Sequence, residues 1–169
     1  MNFQFYLEKL VNEESFQKFM DEHKDCYPCS CFFAVDFENL KNPQDKQHID
    51  FFVPSLKRIF SFQLEDQCKV IELENLNDKE PVKISLNYDL DFDEFWRIIE
   101  DEKNRQQITH KTNKIVFSIQ NVDNKDLIIG TVFISNLGMI RVNYDIVDRK
   151  ILLFEKKSFF DLVNIFKKK

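Results

Sequence analysis

Residues 115–146 read IVFSIQNVDNKDLIIGTVFISNLGMIRVNYDI, and this stretch decides the fold class. Apolar and polar residues alternate at both of its ends, as in strands with one buried face. The central run, residues 127–134, is almost wholly apolar and is typical of a buried strand. The links at 122–126 and 135–138 hold Asn, Asp and Gly, which favour hairpin turns. Because parallel neighbours need a crossover of about a dozen residues or more, these strands are predicted to be antiparallel.

A helix is predicted immediately before this meander. Asp91 is a suitable N-cap, and Glu94 three residues later can close a capping box. The apolar stripe that follows is Phe92, Phe95, Trp96 and Ile99. A fourth strand at 151–154 and a short terminal helix over about 159–166, capped by Ser158 and Asp161, complete this half.

The first half has the same order. Two apolar stripes within residues 7–20 predict one bent helix or two short ones, with Asn12 as a candidate cap. Strands are expected at 31–37, 48–53, 60–65, 71–74 and 82–88. The sequence therefore predicts a single α+β domain, 1–169, in which helices pack on one face of a curved antiparallel sheet. The shared order of halves 1–88 and 89–169 suggests a duplication, and two unrelated halves are the alternative.

Composition excludes several classes of function. The chain has 169 residues, 19 Phe, a net charge of −5 and only two glycines, Gly130 and Gly138. Loops that bring backbone against phosphates need glycine, so P-loop and Rossmann nucleotide sites are not expected. Interleaved charges with a negative sum disfavour nucleic acid as a partner. The first twenty residues lack a signal-peptide pattern and no stretch is long and apolar enough to span a membrane, so a cytoplasmic location is expected.

The second half resembles a PepSY-type module. That family has a leading helix, then strands, and a final hairpin that often reads Val-Asp-x-x-Thr-Gly-Lys-Val-Leu. Here residues 146–152, Ile-Val-Asp-Arg-Lys-Ile-Leu, occupy the matching place and lack the Thr-Gly pair. The resemblance covers residues 89–169 and implies a small non-enzymatic domain associated with binding or with restraining peptidases.

The cysteines form the sharpest local cluster in the sequence. Cys26 and Cys29 make a Cys-x-x-Cys pair, the usual half of a tetrahedral zinc site. Cys68 with His48, or with His23, could complete such a site. The alternative is structural, because cysteines beside a proline turn and at the start of an apolar strand are often buried as small apolar residues.

These observations favour a non-catalytic binding or regulatory domain with no cofactor. Its expected partner is a protein or peptide that engages a sheet face, a sheet edge or a hairpin tip. The alternative is a carrier of a small apolar ligand in a cavity lined by phenylalanines. An enzyme is the third possibility, and a cleft with a histidine bonded to a carboxylate would support it.

Overall fold

The computed structural model describes residues 2–39, 41, 44–65, 67–74 and 79–158. This part of the chain contains three helices: α1 (Phe3–Val11), α2 (Glu14–Glu22) and α3 (Phe92–Arg105). The first four strands are β1 (Tyr27–Asp36), β2 (Lys46–Val53), β3 (Arg58–Gln63) and β4 (Lys69–Glu74). The last four are β5 (Thr112–Val122), β6 (Lys125–Ile134), β7 (Gly138–Asp145) and β8 (Lys150–Ser158).

The eight strands form one antiparallel sheet in the order β4-β3-β2-β1-β5-β6-β7-β8. Each half contributes a four-strand meander, and the first strands of the two meanders, β1 and β5, pair in the middle. The predicted α+β class and the antiparallel pairing are therefore confirmed. The strand order is what a duplicated helix–meander unit would produce, and the duplication itself stays a prediction.

All three helices pack on the same face of this sheet. Phe16 of α2 packs on Phe62 with ring centroids 5.1 Å apart, and Phe95 of α3 packs on Phe117 at 5.5 Å. Buried residues from both halves form one continuous hydrophobic cluster on this side. Burying each such side chain fully stabilises the fold by about 1.5–3 kcal/mol relative to exposure. We call the opposite side of the sheet the second face.

The predicted N-cap is correct for α3 and wrong for α2. The Asp91 side chain accepts a hydrogen bond from the Asp93 N–H, as an N-cap should. Asn12 does not cap a second helix. It ends α1, with its backbone N–H on the Glu8 and Leu10 carbonyls, and Glu13 precedes α2 instead.

Residues 82–88 were expected to form a strand and do not, although more and less buried side chains alternate from Ile84 to Tyr88. The backbone of this segment is bonded mainly by isolated contacts. The Gln4 side chain donates to the Leu86 and Tyr88 carbonyls, and the Ser85 N–H donates to Asp126. The alternating burial of these residues therefore results from packing against Gln4 and Asp126, and no strand pairs with the segment in the described residues. The predicted terminal helix over 159–166 lies outside the described residues, and Ser158 belongs to β8.

Candidate functional site

Strand β4 is an outer edge of the sheet with exposed apolar side chains. All six of its residues are exposed, including Val70 at 40%, Ile71 at 39% and Leu73 at 42%. The alternation at 71–74 predicted a strand with one buried face, and the strand forms without one because no described residue covers it. Pairing to β3 runs through six consecutive residues without a bulge, and β4 contains no proline. Natural edges are usually protected by bulges, proline or charged side chains. Strand β4 has neither bulge nor proline, and its charged residues are Lys69, Glu72 and Glu74.

The other edge, β8, is better protected. Its pairing with β7 is interrupted by a register shift beside Asn143, which places Leu152 as the extra residue. Lysines stand at three of its nine positions: Lys150, Lys156 and Lys157. Bulges and lysines are the usual means by which proteins keep sheet edges from pairing. Both edges carry charged residues, and they differ in the bulge that β8 has and β4 lacks.

A cavity of about 200 Å³ lies between α1, α3 and the sheet, and we call it the α3 cavity. Its buried wall includes Phe33, Phe95, Ile115 and Phe117, each less than 5% exposed. The further apolar lining residues are Tyr6, Val35, Phe37, Phe92 and Trp96. Small-ligand sites are typically apolar cavities with a few polar groups, and this cavity has that character.

The polar lining residues of the α3 cavity are Asp45, Lys46, Gln47 and Asp93. Lys46 and Asp93 are exposed, so this side is the rim. Burial, together with the negative charge of Asp45, raises the pKa of the Tyr6 hydroxyl. The negative charge of Asp45 therefore acts on Tyr6, which forms part of the cavity wall. The cavity has an aromatic interior and a charged rim.

His48 and Glu65 form the histidine–carboxylate contact that would support an enzyme. His48 Nε2 lies 2.7 Å from Glu65 Oε1, and both side chains are about one-fifth exposed. Burial acts to raise the pKa of the Glu65 carboxyl, but hydrogen bonds from its own N–H and from His48 together lower it. The pair does not line the α3 cavity. Among the described contacts, no nucleophile is bonded to this pair, which links β2 to the segment after β3.

The candidate metal ligands have separate partners. Cys26 Sγ lies 3.6 Å from Met20 Sδ, whereas Cys29 Sγ donates to the Asp50 carbonyl at 3.5 Å. Cys68 packs at the margin of the core, and His48 faces Glu65. Within the described residues, no three His, Cys, Asp or Glu side chains are arranged to hold a metal ion. The geometry gives a shared site at Cys26, Cys29, Cys68 and His48 no support.

Burial also governs the chemistry of the thiols in β1. Desolvation, reinforced by the charge of Asp50, raises the pKa of Cys29 to about 12. Cys31 is fully buried in the core, and the same desolvation raises its pKa well above the ordinary value. Because the thiolate is the nucleophile and the metal ligand, a raised pKa disfavours both roles for these two groups at neutral pH.

A buried lysine that the sequence did not single out connects α3 to the start of β5. Lys103 is 4% exposed, and its ammonium donates to both Glu100 carboxylate oxygens and to Thr112 Oγ1, each at 2.9 Å. The Thr112 hydroxyl in turn donates to Glu100 at 3.0 Å. Every polar partner in this cluster is satisfied internally, and its role is to hold the end of α3 on the sheet.

Comparisons with known proteins add little to this geometry. No known family and no curated protein matches the chain. The chain is similar to a solved structure from Clostridium difficile 630 named "putative lipoprotein", at 12% identity. The likeness covers 85% of this chain and 91% of that chain, with a TM-score of 0.47, which is too low to support an argument. The PepSY resemblance thus stays a prediction. None of the helices in the described residues has the length and apolar character needed to cross a membrane.

Proposed function

We propose that the protein is a non-catalytic binding domain that accepts an extended segment of a partner protein along β4. The supporting observation is the character of this edge: six exposed residues, regular pairing to β3 and no bulge. A free edge offers backbone N–H and C=O groups at the spacing of a strand, and an added strand satisfies them. When a strand is added, the exposed apolar side chains of β4 also lose part of their contact with water, which favours binding.

The side chains of β4 define the chemistry of the partner. Ile71 and Leu73 project on the second face, whereas Glu72 and Glu74 project on the helix side beside Arg58. A partner strand that alternates apolar and basic residues would place its apolar side chains beside Ile71 and Leu73 and its basic side chains beside the two glutamates. Cross-strand pairs of this kind contribute about 0.2–1 kcal/mol each. Specificity therefore comes from the alternation, and affinity comes largely from the backbone.

A random library of twelve-residue peptides displayed on phage tests this proposal. Selection against the whole chain should enrich peptides with alternating apolar and basic residues. Binding should slow amide hydrogen exchange in β4, and N-methylation of alternate peptide bonds should abolish binding. Ile71→Lys should weaken binding at least tenfold because it places a charge on the apolar row. Leu152→Lys, at an exposed apolar residue of the other edge, is the matched control and should bind like the original protein.

Three results would contradict the proposal. The first is no enrichment over a bare support, and the second is peptide binding that leaves exchange in β4 unchanged. The third is self-association that Ile71→Lys abolishes, seen as a concentration-dependent mass in sedimentation. In that case the occupant of the edge would be a second copy of this chain.

A further inference from the structure

The interior of the α3 cavity is shaped for a ring. Phe33 and Phe117 stack with centroids 5.2 Å apart and planes 19° from parallel, and Phe92 lies 4.9 Å from Phe33. A cavity of about 150 Å³ lined by apolar side chains binds benzene. At about 200 Å³, the α3 cavity has room for one six-membered ring with a short substituent. Aromatic pairs gain affinity beyond what their buried area gives, so a planar aromatic ligand gains more than an aliphatic one.

The rim of the cavity favours a positive charge. Lys46 Nζ lies 3.7 Å from Glu65 Oε1, so a carboxylate already offsets its charge. Asp93 lies in the first turn of α3, where the helix dipole offsets the negative charge. No ion pair of Asp45 occurs among the described residues, and this carboxylate acts on the cavity wall at Tyr6. One of its oxygens accepts the Asp36 N–H at 2.8 Å, which orients the carboxylate.

The wall next to the rim adds a second attraction for cations. Trp96 and Phe37 stack with centroids 4.7 Å apart and planes 23° from parallel. The face of an aromatic ring attracts an ammonium group within about 6 Å, and tryptophan does so best. A ligand anion would meet the Asp45 carboxylate and is therefore disfavoured.

We propose that the α3 cavity binds a small primary amine with one aromatic ring, with the ring on Phe33 and Phe117 and the ammonium at Asp45. This site is separate from β4, so the inference does not depend on the peptide-binding function. It assigns a ligand class to the cavity by shape and charge together: an interior for a ring and a carboxylate for an ammonium.

Fluorescence of Trp96, the single tryptophan of the chain, provides the assay because this side chain lines the cavity. Phenethylamine and 3-phenylpropionate serve as probes at pH 7, since they share a ring and a short chain and differ in the sign of their charge. Phenethylamine should produce a saturable change, and 3-phenylpropionate should bind at least tenfold more weakly. No saturation by phenethylamine up to about 10 mM, or equal binding of both probes, would overturn the proposal.

Variants locate the site. Asp45→Asn keeps an oxygen for the Asp36 N–H and removes the charge, so phenethylamine should bind about five- to tenfold more weakly. Asp101→Asn, at an exposed carboxylate of α3 outside the cavity, is the matched control and should bind normally. Val35→Phe fills the cavity and should abolish binding. If that variant does not fold, the test depends on Asp45→Asn. An unchanged affinity of Asp45→Asn for phenethylamine would then refute the proposal. Ile71→Lys should leave amine binding intact, which separates this site from the edge at β4.

Discussion

Replacing Gly130 by alanine should destabilise the sheet, although Gly130 has an ordinary backbone conformation with no positive φ. A Cβ at this position would lie 2.9 Å from Phe117 Cβ and 3.1 Å from the Val116 carbonyl oxygen. Neither atom can rotate away, because one is fixed to the backbone of β5 and the other belongs to it. Strands β5 and β6 must therefore move apart, at the centre of the sheet.

The magnitude follows from two opposing effects. Overpacking of a well-packed interior costs about 1–3 kcal/mol. Alanine reduces the conformational freedom of the unfolded chain and returns about 0.4–1 kcal/mol. The expected net loss in free energy of unfolding is about 1–2 kcal/mol, which lowers the Tm by about 2–8 °C in a chain of this size.

Urea denaturation followed by circular dichroism measures this loss, and Gly138→Ala is the matched control. A Cβ at Gly138 would meet Cγ1 and Cδ1 of Ile134 at 2.7 and 2.9 Å. These atoms belong to a side chain, whereas the contacts of Gly130 are fixed to the neighbouring strand, so Gly138→Ala should cost less than Gly130→Ala. The reasoning fails if Gly130→Ala stays within about 0.3 kcal/mol of the original protein, or if the control loses more.

Two further predictions concern buried charges. Lys103→Ala removes the ammonium that Glu100 and Thr112 share, so the free energy of unfolding should fall by about 1–3 kcal/mol in urea titrations. Lys103→Met should lose less stability because it keeps the packing of the aliphatic side chain. Equal stability of the alanine variant would contradict this. The backbone N–H of Asp148, more than the other contacts, lowers the pKa of the buried Asp145 carboxyl. Because the folded pKa lies below the unfolded value of about 3.9, this stabilisation is present above that pH and is lost as the pH falls through the folded pKa. Asp145→Asn should therefore be less stable at pH 7 and lose less between about pH 5 and pH 2; parallel pH curves for the two proteins would contradict the assignment.

Local patterns predicted the second half of the sheet because each strand there pairs with the next one along the chain. The cap at Asp91, the apolar stripe of α3 and the hairpins β5 to β8 all depend on residues a few positions apart. The same rules misplaced a strand at residues 82–88, where burial alternates and long-range side-chain bonds satisfy the backbone. Nothing local distinguishes that segment from β4, whose sequence has the same alternation of apolar and polar residues and which does pair.

Both candidate sites arise from arrangements that sequence spacing does not show. The α3 cavity joins Tyr6 from α1, Asp45 beside β2 and Trp96 from α3, and these meet only after β1 pairs with β5. The excess of phenylalanine was the one available signal, and most of these rings serve only as core. Within the described sheet, β4 has an unpaired edge because it lies at one end of the strand order, which the sequence spacing does not show. For the cysteines, spacing suggested a metal site, while a bulge between Pro28 and Ser30 gives Cys29 a separate partner in Asp50.

The pairing of β1 with β5 also has a consequence for how the chain folds. Every other ladder joins strands that are neighbours in sequence, so each half can form with short loop closures. Only the central ladder, from Cys31 with Ile119 to Asp36 with Lys114, has a high contact order. The rate-limiting step in folding is therefore expected at this seam. Substitutions there should slow folding, whereas substitutions in the outermost strands should act mainly on the rate of unfolding.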